Sequence, residues 1–187
     1  MPRVVAGRAG GIRLETNNDK LMRPTSDRMK EAIFSSIQSE IDQGEISFFL
    51  DLFAGSGQIG IEALSRGVPN VIFVENNKRA QQIINKNFEK TKLRGKLLPI
   101  SANRAVEQLA KQGQIFDIIY FDPPWMLLNE IWQEIEQNLG KLLSENGKIL
   151  IEHSKTIKLE LDQNKWNLIK EKRYGQSVLV VIEKKLN

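Results

Sequence analysis

The stretch at residues 51–60, Asp-Leu-Phe-Ala-Gly-Ser-Gly-Gln-Ile-Gly, constrains this chain more than any other. An apolar run at residues 48–50 precedes it and indicates a buried strand, while residues 61–64 are typical of the first turns of a helix. Between the two lie three glycines with G-x-G-x-x-G spacing: Gly55, Gly57 and Gly60. Glycine at such a junction permits a tight turn and lets a ligand approach the backbone, so the stretch predicts a site for NAD, FAD or S-adenosylmethionine.

Two acidic residues help to choose between these ligands. Glu75 ends the next apolar run, 20 residues after Gly55, where a ribose-binding carboxylate is expected. Asp51 lies at the mouth of the first strand, where a carboxylate would repel the pyrophosphate of a dinucleotide. S-adenosylmethionine has no phosphate and carries an ammonium group that Asp51 can pair with. Although Asp51 could merely cap the turn, the pattern favours S-adenosylmethionine.

A second motif, Asp-Pro-Pro-Trp at residues 122–125, follows the fourth predicted strand. Ligands of open parallel sheets bind beyond the carboxyl ends of the strands, so Asp122 should face the glycine turn. The Asp122 carboxylate and a carbonyl oxygen near the two prolines can accept the hydrogens of a planar amine, while Trp125 stacks on the base. A plain turn is the alternative, but the two motifs together favour a catalytic site. Its residues are Asp122, Pro123, Pro124 and Trp125.

Predicted strands and helices alternate from residue 47 onward. The strands are 47–53, 70–75, 96–100, 115–121 and 147–152, and the helices are 57–66, 77–91, 103–112 and 127–143. This alternation implies an α/β fold with a mainly parallel sheet covered on both faces. Runs at 166–169 and 178–182 flank Tyr174-Gly175 and predict a C-terminal antiparallel hairpin. A further helix is expected from an N-cap at Thr25 or Ser26 to just before Gly44.

The composition excludes several other kinds of protein. The 187 residues suit one domain with no inner boundary, and they include no cysteine and a single histidine, His153. Disulfides and thiolate metal sites are therefore excluded, an imidazole-rich site is not expected, and we predict no metal. No apolar run approaches the ~20 residues of a membrane span. We predict a cytoplasmic monomer without membrane contact.

The positive charge is concentrated at the N-terminal end. Residues 1–30 contain seven basic and three acidic residues, so this segment alone accounts for the net charge of +4 of the chain. Short runs separated by glycines indicate a hairpin or an extended arm at residues 1–24, attached to a domain at residues 25–187. A basic end on a neutral core suggests a polyanion partner, although a solvated tail is the simpler alternative.

The chain resembles one family over nearly its whole length. Asp-Pro-Pro-Trp is similar to the D/N-P-P-aromatic motif of amino-methyltransferases, which transfer methyl groups from S-adenosylmethionine to exocyclic amines. The wider layout resembles the bacterial small-subunit (16S) ribosomal RNA guanine-N2 methyltransferases of the RsmD type. The matching stretches are residues 3–7, 11–14, 23–28, 51–67, 74–75, 116–125 and 171–176.

The resemblance implies a Rossmann-like class I S-adenosylmethionine-dependent methyltransferase fold with a seven-stranded sheet. It implies methylation of a guanine N2 in small-subunit ribosomal RNA, with S-adenosylmethionine as cofactor. The partner is then ribosomal RNA or an assembly intermediate of the small subunit. Arginines of the basic segment are expected to contact RNA phosphates: Arg3, Arg8, Arg13, Arg23 and Arg28.

The predicted cofactor-binding residues are Asp51, Phe53, Gly55, Ser56, Gly57, Glu75, Asn76, Asn103 and Asp122. One position departs from the family. After the third strand the family usually has an aspartate that meets the adenine amine, whereas this chain has Ser101. Adenine recognition is therefore expected to fall on Asn103 or on the backbone.

Three other functions are compatible with parts of the pattern. A DNA or other RNA amino-methyltransferase shares the Asp-Pro-Pro motif, but a DNA enzyme normally needs an added recognition domain, for which the segment before residue 47 leaves little room. A nicotinamide oxidoreductase would have no use for the Asp-Pro-Pro-Trp motif at residues 122–125. A non-catalytic RNA-binding domain would tolerate loss of either motif, yet both are intact.

Overall fold

The computed structural model describes residues 2–16 and 25–185. It contains a seven-stranded sheet in the order β3-β2-β1-β4-β5-β7-β6. The strands are β1 Phe48–Asp51, β2 Asn70–Val74, β3 Lys96–Leu98, β4 Phe116–Phe121, β5 Leu143–Ser154, β6 Trp166–Tyr174 and β7 Ser177–Lys184. Strands β1 to β5 are parallel, whereas β7 runs antiparallel to both β5 and β6. The predicted α/β sheet with a C-terminal antiparallel hairpin is confirmed.

Helices α3 to α6 connect the parallel strands, and α1 and α2 precede the sheet. Their bounds are α1 Asp27–Ser35, α2 Gln38–Asp42, α3 Gln58–Arg66, α4 Lys78–Thr91, α5 Ala102–Lys111 and α6 Leu128–Leu142, with a 3-10 helix at Trp125–Leu127. Within residues 2–16 and 25–185, no helix is long and apolar enough to cross a membrane.

The helix predicted between residue 26 and Gly44 is two helices. Its start is confirmed, because the Ser26 side chain accepts a hydrogen bond from the backbone N–H of Met29 at 3.1 Å. Its continuity was wrong: the Ser36 hydroxyl donates to the carbonyl of Ile33 at 2.5 Å, and α1 ends there. A serine that bonds a nearby carbonyl competes with the helical ladder, which accounts for the break.

The sheet is covered on both faces. One side, which we call the α3 face, carries a core from α1, α3 and α4. The other, which we call the α6 face, carries a core from α5 and α6. Strand residues alternate between these faces: Tyr120 and Leu150 belong to the first core, and Phe121 and Ile151 to the second.

β1 to β4 are shorter than predicted by one to three residues, whereas β5 and β6 extend well beyond their predicted bounds for reasons of pairing. β5 begins at Leu143, which is buried and pairs with Phe116, and a register shift follows. β6 continues to Tyr174 because its charged, exposed residues pair with β7. Local hydrophobicity signals neither extension, since both depend on a neighbouring strand.

Residues 2–16 form a hairpin that packs on α3. Arg3 and Arg13 form an antiparallel bridge, and apolar side chains of the hairpin lie in the core of the α3 face: Val4, Ala9 and Leu14. The backbone N–H groups of Val5 and Ala6 donate to the buried Glu62 carboxylate at 2.7 and 2.9 Å. The hairpin thus shares the core of the rest of the chain.

Candidate active site

Both sequence motifs lie at the edge of the sheet where the parallel strands end. Asp51 is the last residue of β1, and Asp122 directly follows β4. The two strands are neighbours, with Asp51 opposite Tyr120, so the glycine turn and the Asp-Pro-Pro-Trp turn leave the sheet side by side. The strand order reverses here, which is where open α/β sheets bind ligands.

The glycine turn needs glycine for two different reasons. Gly55 and Gly57 have positive φ values of 55° and 80°, a conformation that disfavours other residues. Gly60 needs space instead, because an added Cβ would lie 2.2 Å from the ring of Phe73. The turn therefore brings the N-terminus of α3 close to the ligand-binding edge.

The Asp51 carboxylate is buried, and its two oxygens differ. Oδ2 accepts the backbone N–H of Gly60 at 2.9 Å, whereas Oδ1 has no hydrogen-bond partner within the described part of the chain. Burial raises the pKa of Asp51 to about 7. The hydrogen bond from the Gly60 N–H acts to lower the pKa, and the charge of Glu75 acts to raise it further. A buried carboxylate oxygen without a partner fits the ammonium of S-adenosylmethionine.

Glu75 links the glycine turn to the start of α4. Its Oε2 accepts the N–H of Gly55, and its Oε1 accepts that of Asn77, both at 2.8 Å. Each carboxylate oxygen can accept a second hydrogen bond. Glu75 can therefore hold the turn and still receive the ribose hydroxyls proposed for it.

The other predicted cofactor residues surround this pair with differing exposure. Phe53 packs edge-on against Phe121, with ring centroids 5.5 Å apart. The Ser56 carbonyl accepts from the side-chain amide of Asn87 at 2.9 Å. Asn76 is exposed just after β2, and Asn103 is partly exposed in the first turn of α5. Asn103 is thus accessible to an adenine bound at this edge.

Asp122 is held by the residue that was predicted to stack on the target base. The Trp125 side chain hydrogen-bonds the Asp122 carboxylate. Pro123 is buried and Pro124 exposed, and the 3-10 helix begins directly after them. Trp125 itself remains partly exposed, so its ring is available to a base that reaches Asp122.

Sequence reasoning missed two residues beside Asp122. The Tyr120 hydroxyl donates to Oε2 of the buried Glu152 at 2.7 Å. Because Phe121 pairs with Ile151, Asp122 and Glu152 are neighbours across the strands and share the α3 face. Burial raises the pKa of Asp122 well above its usual range, and the charges of Glu152 and Asp51 add to this. An acidic residue closing the apolar run of β5 was the available signal.

Three of the five predicted RNA-binding arginines lie together. Arg3 and Arg13 face each other across the hairpin bridge, and Arg3 pairs with Asp27 at 3.0 Å, next to Arg28 in sequence. Arg8 does not join them, because its guanidinium donates to the carbonyl of Leu64 at 3.1 Å, near the far end of α3. Arg23 lies outside the described residues.

The site distinguishes between the ligands that a glycine turn can bind. The pyrophosphate of a dinucleotide would meet the buried Asp51 carboxylate, whereas S-adenosylmethionine offers that oxygen an ammonium. The strand order, with β7 antiparallel beside β5, is that of the class I S-adenosylmethionine-dependent methyltransferases. The protein is a class I S-adenosylmethionine-dependent methyltransferase.

Within that class the chain belongs to the family of RsmD-type methyltransferases. The family model described as Conserved hypothetical protein 95 matches residues 2–183. The ribosomal RNA small subunit methyltransferase D of Haemophilus influenzae is 34% identical over 181 residues, covering 92% of this chain and 89% of the relative. The protein of the same name from Escherichia coli K12 is 31% identical over 176 residues, covering 93% of this chain and 85% of the relative.

Solved structures share the fold. A hypothetical protein of Thermus thermophilus has a TM-score of 0.85 at 24% identity, covering 98% of this chain and 99% of its own. A protein crystallised with SAH has a TM-score of 0.63 at 17% identity, covering 81% of this chain and 49% of its own.

Proposed function

We propose that this protein methylates the exocyclic N2 of a guanine in small-subunit ribosomal RNA. The observation that carries the proposal is the position of Asp122, a partly buried carboxylate at the end of β4 beside the cofactor turn of β1. The names of the relatives from Haemophilus influenzae and Escherichia coli support ribosomal RNA as the substrate.

The residues at the edge of the sheet divide the work of binding. Asp51 Oδ1 pairs with the ammonium of the cofactor, and Glu75 accepts its ribose hydroxyls. S-adenosylmethionine, when bound, supplies a methyl group activated by the sulfonium. The protein then has to hold the target amine in line with that methyl group, since alignment accounts for much of the rate of such a transfer.

Asp122 acts on the target amine. A guanine N2 is a poor nucleophile because its lone pair is delocalised into the ring, and positive charge grows on it during the transfer. The Asp122 carboxylate orients the amine, stabilises that charge and takes up a proton afterwards. Trp125 stacks on the base. A base inside helical RNA cannot reach this edge, so the target lies in a loop or is flipped out.

The proposal is tested by incubating purified protein with S-adenosylmethionine and small-subunit ribosomal RNA, free and in partly assembled subunits. Nucleoside mass spectrometry should then detect N2-methylguanosine with the wild-type protein and none with Asp122→Ala. Methylated adenine would move the specificity to another base. Methylation of DNA, but of neither RNA substrate, would overturn the proposal.

A further inference from the structure

The turn between β6 and β7 lies at the same edge of the sheet as the active site. Ser177 pairs with Ser154 at the end of β5 and with Tyr174 at the end of β6. Lys172 lies opposite Leu179, which in turn lies opposite Glu152. Three strand intervals of ~4.8 Å place Lys172 about 14 Å from Asp122.

Tyr174 brings together cations from two elements. Its partly buried ring packs on the core of the α3 face. The guanidinium carbon of Arg28, from α1, lies 6.0 Å from the ring centroid, and Nζ of Lys172, from β6, lies 5.7 Å from it. Both cationic residues are exposed. Cation–π attraction to one fixed ring holds two otherwise flexible side chains in place.

This cluster continues toward the N-terminal hairpin. Asp27, the neighbour of Arg28, binds Arg3 at 3.0 Å and the buried Lys30 at 3.1 Å. Arg3 faces Arg13 across the hairpin bridge. The Asp27 carboxylate is therefore already paired. Cations from the hairpin, α1 and β6 lie along one rim on the α3 face. Arg28 and Lys172 share the ring of Tyr174, and Arg3 and Lys30 share the carboxylate of Asp27.

We propose that Arg28 and Lys172, held by Tyr174, bind RNA phosphates beside the target base, with Arg3 and Arg13 extending the same surface. The proposal rests on the proposed function and adds residues to it. Closely spaced cations match the phosphate backbone, which fixes the position of the RNA without reading its bases. The separation of about 14 Å between Lys172 and Asp122 suits a nucleotide that flanks the extruded one.

The test measures binding of a labelled small-subunit ribosomal RNA transcript across a KCl series. Arg28→Ala and Lys172→Ala should each weaken binding ~3- to 10-fold and reduce the log–log salt slope by about 0.7 to 0.9. Tyr174→Leu should weaken binding with a smaller change in slope, because no charge is lost. Tyr174→Phe, which keeps the ring, should bind like the wild type.

Matched controls come from the opposite edge of the sheet, where Lys111 and Lys141 end α5 and α6. Lys111→Ala and Lys141→Ala remove the same charge and should leave binding unchanged. Wild-type RNA affinity and salt slope in both Arg28→Ala and Lys172→Ala would overturn the inference, even if Tyr174→Leu failed to fold. Failure of the wild-type protein to methylate ribosomal RNA would instead contradict the proposed function.

Discussion

The hydroxyl of Tyr120 donates a hydrogen bond of 2.7 Å to Oε2 of Glu152, joining the strands that end beside Asp122. Burial raises the pKa of Tyr120 well above its usual range, and the nearby carboxylates add to the shift. The tyrosine therefore stays a hydrogen-bond donor and holds the Glu152 carboxyl group close to Asp122. Glu152 on β5 thus raises the pKa of Asp122, the residue that directly follows β4.

Replacing Glu152 by glutamine should shift the pH dependence of turnover. The raised pKa of Asp122 keeps this group protonated to higher pH than usual, so a reaction that needs the carboxylate accelerates as pH rises through that pKa. Glu152→Gln removes a charge that raises the pKa and still accepts from Tyr120. The acid limb of the kcat profile should move to lower pH. An acid limb at the same pH in Glu152→Gln and the wild type would contradict this prediction. Glu160→Gln, which changes an exposed glutamate, is the control.

Substitutions of Asp122 should separate its roles. Asp122→Asn keeps an oxygen that accepts the amine, so part of the turnover should remain. Asp122→Ala should lower kcat ~100-fold or more while leaving the affinity for S-adenosylmethionine unchanged. Single-turnover rates and calorimetry measure the two quantities. Equal, large losses in both variants would indicate an obligatory proton acceptor, and equal, small losses would remove Asp122 from the mechanism.

Cofactor affinity should depend on pH through Asp51. Its pKa is raised to about 7, so the carboxylate that pairs with the ammonium is largely protonated below that pH. Affinity should fall by up to about tenfold per pH unit as pH drops below 7. Asp51→Asn should bind more weakly and lose this dependence. Calorimetry over a pH series measures both, and parallel curves for the two proteins would exclude the pairing.

Asp51 should also make the stability of the cofactor-free protein depend on pH. Stability should fall as pH rises, whereas cofactor affinity should increase. Its folded pKa lies above the ordinary value of 3.8, so the folded state binds the proton more tightly. Its stabilising contribution is complete below the ordinary pKa and is lost as pH rises toward about 7. Urea unfolding of the cofactor-free protein should show this loss, and Asp51→Asn should not.

Two glycines of the N-terminal hairpin provide a matched pair. Gly7 and Gly11 both have positive φ, 80° and 86°, so alanine at either position should cost ~1–2 kcal/mol. Only at Gly7 would an added Cβ lie 1.9 Å from the carbonyl oxygen of Ser65. Gly7→Ala should therefore lower the free energy of unfolding more than Gly11→Ala. Equal urea midpoints for Gly7→Ala and Gly11→Ala would show that the close approach of Gly7 to the Ser65 carbonyl does not contribute to stability.

Much of the fold could be predicted because its signals are local. Apolar runs with intervening helices define the parallel sheet, and the turn after Tyr174 predicts the final hairpin. The break after Ser35 depends on the side-chain bond that Ser36 forms, and the ends of β5 and β6 depend on partner strands. Hydrophobic periodicity contains neither kind of information.

The candidate site shows the same division. Asp51 and Asp122 could be brought together from sequence because each ends an apolar strand and parallel strands end at one edge. Tyr120 lies inside an apolar run and looks like a core residue, and the position of Glu152 beside Asp122 follows only from the register of β4 and β5. The separation of Arg8 from Arg3 likewise depends on how the hairpin lies along α3, which charge counting does not reveal.

The hairpin on α3 has a consequence for the order of folding during synthesis. Val5 and Ala6 donate to Glu62, and the backbone N–H of Glu15 donates to the Asn87 side chain at 2.7 Å. Proteins are made from the N-terminus, so the first segment to emerge must wait for α3 and α4 before it can dock. Such contacts between distant parts of the sequence slow folding. We expect the earliest part of the chain to be among the last to reach its native place.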